Sequence, residues 1–220
     1  MISFSNMSPE VTEAMCTPMH LILPANQTPV APGALYLGSL SAVMDSSVLR
    51  QHHISVLVQV LDVPWLPPLE QEGFDCYRMD VLDVESHDLR PHLEGAVERI
   101  DVALKRGKNV LVHCQQGISR SASIVIAYLM RKRGMTFDAA LAYVRSRRAC
   151  IKPNAGFVRC LQEWERSWHA AASAASTPRL SVAPSTGPSP SMARSPTAMH
   201  TGNSFTLRPP RLARAATTAG

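Results

Sequence analysis

A cysteine and an arginine six positions apart, Cys114 and Arg120, stand in the stretch VLVHCQQGISRSASIVIAYLM, residues 110–130. A thiol becomes a strong nucleophile as a thiolate, and a guanidinium is a planar fork that holds two oxygens of one tetrahedral anion where lysine supplies only a point charge. Between them lie Gln115, Gln116, Gly117, Ile118 and Ser119. The backbone N–H groups from Gln115 to Arg120, with the N-terminus of the helix that follows, would line a cup for an oxyanion and favour the thiolate. A thiolate in such a cradle points to in-line attack on phosphorus and a cysteinyl-phosphate intermediate. Loop dipoles and Arg120 would carry the charge on the equatorial oxygens, so this chemistry calls for no metal and no other cofactor. The leaving oxygen needs a proton from a carboxylic acid on another segment. DVLDVESHDL, residues 80–89, offers Asp80, Asp83, Glu85 and Asp88. Alternation along the preceding strand puts Asp80 at its end, and spacing alone does not choose between Asp83 and Asp88.

Strands and helices must hold this loop in place. The β-branched run SVLVQVLD (55–62) reads as a buried strand, ALYLGSL (34–40) and DCYRMDV (75–81) as further strands, and NVLVHC as the buried strand that delivers Cys114. VLRQHHI reads as a short helix, and PWLPPLEQEG, broken by prolines, as loop. Leu93, Val97, Ile100 and Leu104 fall at helical spacing and Gly107 follows as a stop. SRSASIVIAYLMRKRG is apolar on nearly every face, as a central core helix would be. Thr136 is placed to cap the helix FDAALAYVRSRR, and Phe157, Leu161, Trp164 and Trp168 form a helical stripe. The basic runs RKR (131–133) and RSRR (145–148) read as ordinary helix ends, where cations suit the dipole. Strands alternating with helices predict an α/β domain: a central, mostly parallel sheet flanked by helices on both faces. The expected organisation is a flexible arm over 1–30, a folded domain over 31–169, and a disordered basic tail over 170–220, rich in Ala, Ser, Thr and Pro.

Charge and cysteines narrow the partners. The formal net charge is +5, yet residues 1–169 carry 17 basic and 17 acidic side chains, and the excess is five arginines in the tail. A neutral folded part argues against nucleic acid as partner. No run approaches the ~18 apolar residues of a membrane span, and the start lacks the basic region of a signal peptide. Five cysteines without regular spacing do not form a secreted disulfide framework, so a reducing cytoplasmic or nuclear setting is expected. Cys16, Cys76, Cys150 and Cys160 read as inert, with a resolving partner for Cys114 as the alternative. His52, His53, His87 and His92 lack metal-ligand spacing.

HCQQGISRS fits the His-Cys-x-x-Gly-x-x-Arg-Ser signature of the protein tyrosine phosphatases, and its flanks resemble the dual-specificity branch, which includes the MAP kinase phosphatases. GALYLGSL resembles that family's opening strand, DVLDVESHDL its acid loop, and SRRACIKPNAGFVRCL its Arg-x-x-Ile-x-Pro-Asn-x-x-Phe segment. The likeness covers residues 31 to 168. It implies a nucleophile at Cys114, a phosphate clamp at Arg120, and a general acid, later base, at Asp83. It also implies that Ser121 helps the thiolate leave, that His113 holds the loop and tunes the cysteine, and that Asn154 braces the loop from behind. The implied activity is dual-specificity protein phosphatase, with phosphoprotein substrates, MAP kinases among them. The implied site is shallow enough for phosphoserine as well as phosphotyrosine. The stretch before the domain is too short for a kinase-docking domain, which suggests the small, atypical kind. Gln116, Asp80, Gln59 and Cys160 depart from residues common in relatives, and Asp80 bears on the pose of the acid loop. A lipid, RNA or glycan phosphatase built on the same loop and a phosphate-binding pseudoenzyme are the rival classes. The loop has none of the extra lysines that lipid-directed relatives carry, and the nucleophile that pseudoenzymes usually lose is intact.

Overall fold

The computed structural model describes residues 7–26, 32–63, 65 and 68–175, the last seven by their backbone. Five short strands form one sheet: β1 (Met19–Leu23), β2 (Leu35–Gly38), β3 (Ile54–Val60), β4 (Asp75–Met79) and β5 (Asn109–His113). Their order is β1-β2-β5-β3-β4, antiparallel between β1 and β2 and parallel elsewhere. The β-branched runs of β3 and β5 fill the centre, where both faces are covered. Val56, Val58, Val60, Val110 and Val112 turn to one core, whereas Leu57 and Leu111 turn to the other. This period-two division requires helices on both sides, as the sequence predicts.

On the larger side pack α4 (Arg90–Lys105), α5 (Arg120–Arg133), α6 (Phe137–Arg147) and α7 (Ala155–Ala175). The smaller side is closed by α2 (Ser41–Met44), α3 (Ser46–Gln51) and a 3-10 turn at Leu69–Glu72. That turn lies inside the proline-broken stretch expected to be loop, and Gly73 ends it in a left-handed conformation (φ +91°). Every residue of α5 from Ser121 to Met130 is buried, and Gly134 terminates the helix at φ +66°. Thr136 caps α6 by accepting from the Ala139 N–H at 3.3 Å. The stripe on α7 holds Phe157 and Leu161 in the core, and Trp164 meets Trp168 edge-on at 4.2 Å.

Two boundaries move. The segment expected to be a flexible arm contains α1 (Pro9–Cys16) and the edge strand β1. Ser8 caps α1 through the Val11 N–H, and Pro9 and Glu10 suit its first turn. β1 pairs from Met19 opposite Gly38 to Leu23 opposite Leu35, and Ile22 is fully buried. MHLIL is too short for a period to show, so its strand nature comes from a tertiary partner. At the other end α7 runs on to Ala175, six residues into the expected tail, because alanine is the best helix former. The rest of that tail, from 176, lies outside the described residues.

Tyr143 on α6 donates to the Ile22 carbonyl at 3.0 Å and ties β1 down. Tyr143→Phe is expected to cost about 1 kcal/mol of stability and to speed amide exchange in Met19–Leu23 while α5 stays protected. Exchange unaltered at β1 would mean that the strand is not held there.

Candidate active site

The three central parallel strands end on one edge of the sheet, and the loop after β5 turns there into α5, the position where open α/β sheets hold ligands. Cys114 closes β5, is 1% exposed, and sits at the base of this loop. Its Sγ accepts the Gly117 N–H at 3.2 Å and the Ser121 hydroxyl at 3.1 Å.

The loop's shape comes from what holds its carbonyls. The Gln115 carbonyl takes the Leu40 N–H at 3.1 Å, and the Ile118 carbonyl takes the Lys152 N–H at 2.9 Å. Arg148 holds two more, donating from Nη2 to Gln116 at 3.1 Å and from Nε to Gly117 at 3.0 Å. The Ser119 carbonyl takes the Ser123 N–H and hydroxyl, both at 2.9 Å. A peptide unit is planar and trans, so pulling its carbonyl outward turns the next N–H inward. The Gly117 N–H on Sγ shows the result, and among the described residues the N–H groups of Gln116, Ile118 and Ser119 donate to no acceptor. Gly117 makes the turn possible at φ +69°; a Cβ there would sit 2.6 Å from the Gly38 carbonyl oxygen.

Arg120 opens α5 with its side chain 11% exposed. Nη1 donates to the Val81 carbonyl at 3.3 Å, and Nε, without a hydrogen-bond partner among the described residues, lies 3.6 Å from Asp83 Oδ2. Asp83 is the acid that the structure brings to the cup. Its Oδ1 accepts the Ser119 hydroxyl at 2.7 Å and Asn154 Nδ2 at 2.9 Å. Asn154 also donates its N–H to Ser119 Oγ at 3.1 Å, and its Oδ1 caps α7 by accepting from the Phe157 N–H at 2.9 Å. Asp88 is placed elsewhere. Just ahead of α4 it accepts the Arg90 N–H at 3.0 Å and pairs with the Arg90 side chain at 2.9 Å, and the Arg90 hydrogen bonds hold its carboxyl down at about 2. Asp80, 70% exposed, pairs with Arg78 at 3.1 Å.

His113 is fully buried, neither ring nitrogen has a hydrogen-bond partner among the described residues, and burial pulls its imidazole down to about 4 against a weak opposing pull from the Cys114 backbone. It is therefore a neutral packing group behind the thiol. The side chains of Gln115 and Gln116 are exposed, and their contribution to the cup is backbone. Beside the cup lies an open cleft of about 770 Å³ walled by Ile118, Pro153, Ala155 and Val158, with Lys152 and Arg159 along it. Among the described residues no His, Cys, Asp and Glu cluster is set to hold a metal.

Sequence reasoning missed two residues here. Arg148 was read with its run as an ordinary helix-end cation, but it is fully buried and donates into the loop. It opens the Arg-x-x-Ile-x-Pro-Asn segment, which was the available signal. Gly156 packs against the backbone of Glu85 with no room for a Cβ, so α7 seats the acid loop through a glycine.

A cysteine and arginine closing one anion cup, with an acid brought over from a neighbouring loop, define a Cys-x5-Arg phosphate-loop protein. Residues 35–167 match the family described as dual specificity phosphatase, catalytic domain, and the chain belongs to that family. It is 41% identical over 133 residues to dual specificity protein phosphatase 1 of Arabidopsis thaliana, covering 60% of this chain and 66% of that protein. It is 42% identical over 141 residues to the serine/threonine/tyrosine-interacting protein of Mus musculus, covering 62% and 63%. The crystal structure of the human tyrosine phosphatase-like serine/threonine/tyrosine-interacting protein superposes with a TM-score of 0.61 at 38% identity, over 69% of this chain and 97% of that one. The crystal structure of human DUSP28 superposes with a TM-score of 0.60 at 31% identity, over 70% and 96%. The matches thus span just under two thirds of the length of the two curated relatives.

Two outcomes follow from this geometry. Gly156→Ala is expected to displace the acid loop and lower kcat by about tenfold on a substrate with a poor leaving group, leaving inorganic phosphate affinity unchanged. Equal losses in kcat and phosphate affinity would show a general distortion instead. For pH, His113 in the fold refuses a proton that the unfolded chain accepts at its usual value of 6.5. Stability is therefore full above pH 6.5 and falls as the pH drops towards 4, by on the order of 3 kcal/mol. Urea midpoints at pH 7.5 and 4.5 measure it, and equal midpoints would contradict a neutral buried imidazole.

Proposed function

We propose that the protein is a dual-specificity protein phosphatase, hydrolysing phosphotyrosine and phosphoserine/threonine on proteins through a cysteinyl-phosphate. The observation that carries this reading is Cys114 Sγ at the base of a cup of inward N–H groups, with Ser121 Oγ at 3.1 Å and Arg120 beside it. The sulfur attacks phosphorus in line, while loop N–H groups and the Arg120 fork take the charge on the equatorial oxygens. Because Asp83 Oδ1 already accepts from Ser119 and Asn154, the transferable proton belongs on Oδ2, which passes it to the departing oxygen. In the second step the same oxygen, now bare, takes a proton from the attacking water. The Ser121 hydroxyl donates to Sγ as the S–P bond breaks. The open cleft beside the cup gives the polypeptide flanking the phosphoresidue a surface to lie on, which favours a protein over a small phosphate ester. A cytoplasmic or nuclear setting keeps Cys114 reduced, and MAP kinases are candidate substrates within this reading.

A binding-only role is the second reading, favoured by the names of relatives called phosphatase-like and interacting proteins. It has to account for an intact thiol. The test is phosphate release from a peptide carrying phosphothreonine and phosphotyrosine, with EDTA and reductant present. Release from both residues is expected, with Cys114→Ser reducing it by on the order of 10³-fold or more and Asp83→Ala by about 10²-fold on poor leaving groups. A wild-type protein that binds the peptide and releases nothing would establish the binding role instead.

A further inference from the structure

Arg148 has no exposed surface and five donors, and its partners account for its position. On one side it holds the Gln116 and Gly117 carbonyls, the two that turn the Gly117 and Ile118 N–H groups into the cup. On the other, Nη1 reaches the Thr17 carbonyl at 3.0 Å and His20 Nδ1 at 2.8 Å. Thr17 and His20 belong to the end of α1 and to β1, upstream of residues 35–167 that match the family. A guanidinium cannot accept a hydrogen bond, so His20 Nδ1 must be the acceptor and its proton must sit on Nε2. A protonated imidazole would lose that bond and set a second cation against a buried one.

We infer that His20 is a positioning residue for the phosphate loop: its unprotonated Nδ1, with the Thr17 carbonyl, seats Arg148, and Arg148 aims two of the cup's N–H groups at the anion. The inference rests on the phosphatase reading of the Cys114 site and extends the machinery into a segment outside the family match.

The charged groups around the pair are few. Burial first, and then the facing Arg148, hold the His20 imidazole below its usual range, while Glu13 on α1 pulls it up more weakly. Arg148 faces Cys150 and Cys114, and burial is the main influence on it. The sign follows: the seated arrangement needs neutral His20, is complete near pH 7, and is lost as the pH falls below the ordinary histidine range.

The test compares wild type, His20→Gln, which keeps an acceptor that does not titrate, and His20→Phe, which keeps the ring shape without one. Inorganic phosphate binding by calorimetry and kcat on an aryl phosphate are measured from pH 7.5 to 4.5, with near-UV circular dichroism reporting folding. At pH 7, His20→Phe is expected to bind phosphate about tenfold more weakly and to lose kcat in similar measure, while His20→Gln restores both. Towards acid, wild type should lose affinity and kcat along a limb that His20→Gln lacks. A folded His20→Phe with wild-type affinity and rate would overturn the inference, as would superimposed wild-type and His20→Gln profiles. Should His20→Phe fail to fold, that second comparison decides alone. A wild type that binds phosphate but turns nothing over would fail the catalytic reading, and the binding profiles would still decide the role of His20.

Discussion

Inward-facing N–H groups in the Cys114 loop are the constraint around which the rest of the chain is arranged. Adjacent peptide dipoles pointing the same way repel one another, and a loop in water would relax by letting some carbonyls turn in. Here each carbonyl from Gln115 to Ser119 is occupied from outside: by Leu40 after β2, by Arg148 at the end of α6, by Lys152 before α7, and by Ser123 within α5. Two segments distant in sequence, the turn after β2 and the stretch from Arg148 to Lys152, must therefore converge on the loop before the cup exists. The sheet achieves this because β2 and β3 both lie against β5, and the apolar α5 spans them from behind. Binding a tetrahedral anion then needs little rearrangement, because the orientation cost was met in folding.

The same network ties the acid to the cup. Ser119 lies within the loop, yet its hydroxyl donates to Asp83, and Asn154 bonds Asp83, Ser119 and the first turn of α7 together. Nucleophile loop, acid loop and C-terminal helix are therefore joined by one unit of hydrogen bonds. Gly156 belongs to this unit, since only a residue without a side chain lets α7 approach the Glu85 backbone. Asp88, two residues before Arg90 and reached from α7 by the Cys160 thiol at 3.6 Å, is fixed by its ion pair where α4 starts and has no part in this network.

What the sequence disclosed and what it hid divide along one physical line. Residues whose type carries the chemistry were readable: a thiol, a guanidinium and a glycine at fixed spacing have few purposes in common other than an anion cup. The long apolar periods of β3, β5, α4 and α5 were readable too, because burial on two faces leaves a pattern that no loop would keep. Choosing Asp83 over Asp88 needed the family likeness, since the decision is made by Ser119, Asn154 and Arg90, all remote from the acid loop or adjacent to the wrong acid. The edge strand β1 has five residues and one antiparallel neighbour, so its signal is mostly the partner's.

Arg148 shows why such cases resist sequence reasoning. At the end of a helix an arginine is ordinarily solvated, and its charge suits the dipole, so nothing local marks this one. Taking a guanidinium out of water is costly unless its donors are used, and the four contacts that use them come from residues 17, 20, 116 and 117. The favourable location of that charge is a property of the assembled fold alone. It also accounts for the fixed places of Thr17 and His20, where composition suggested a loose arm: a buried cation needs acceptors on every side, and the Thr17 carbonyl and His20 complete the set that the phosphate loop begins.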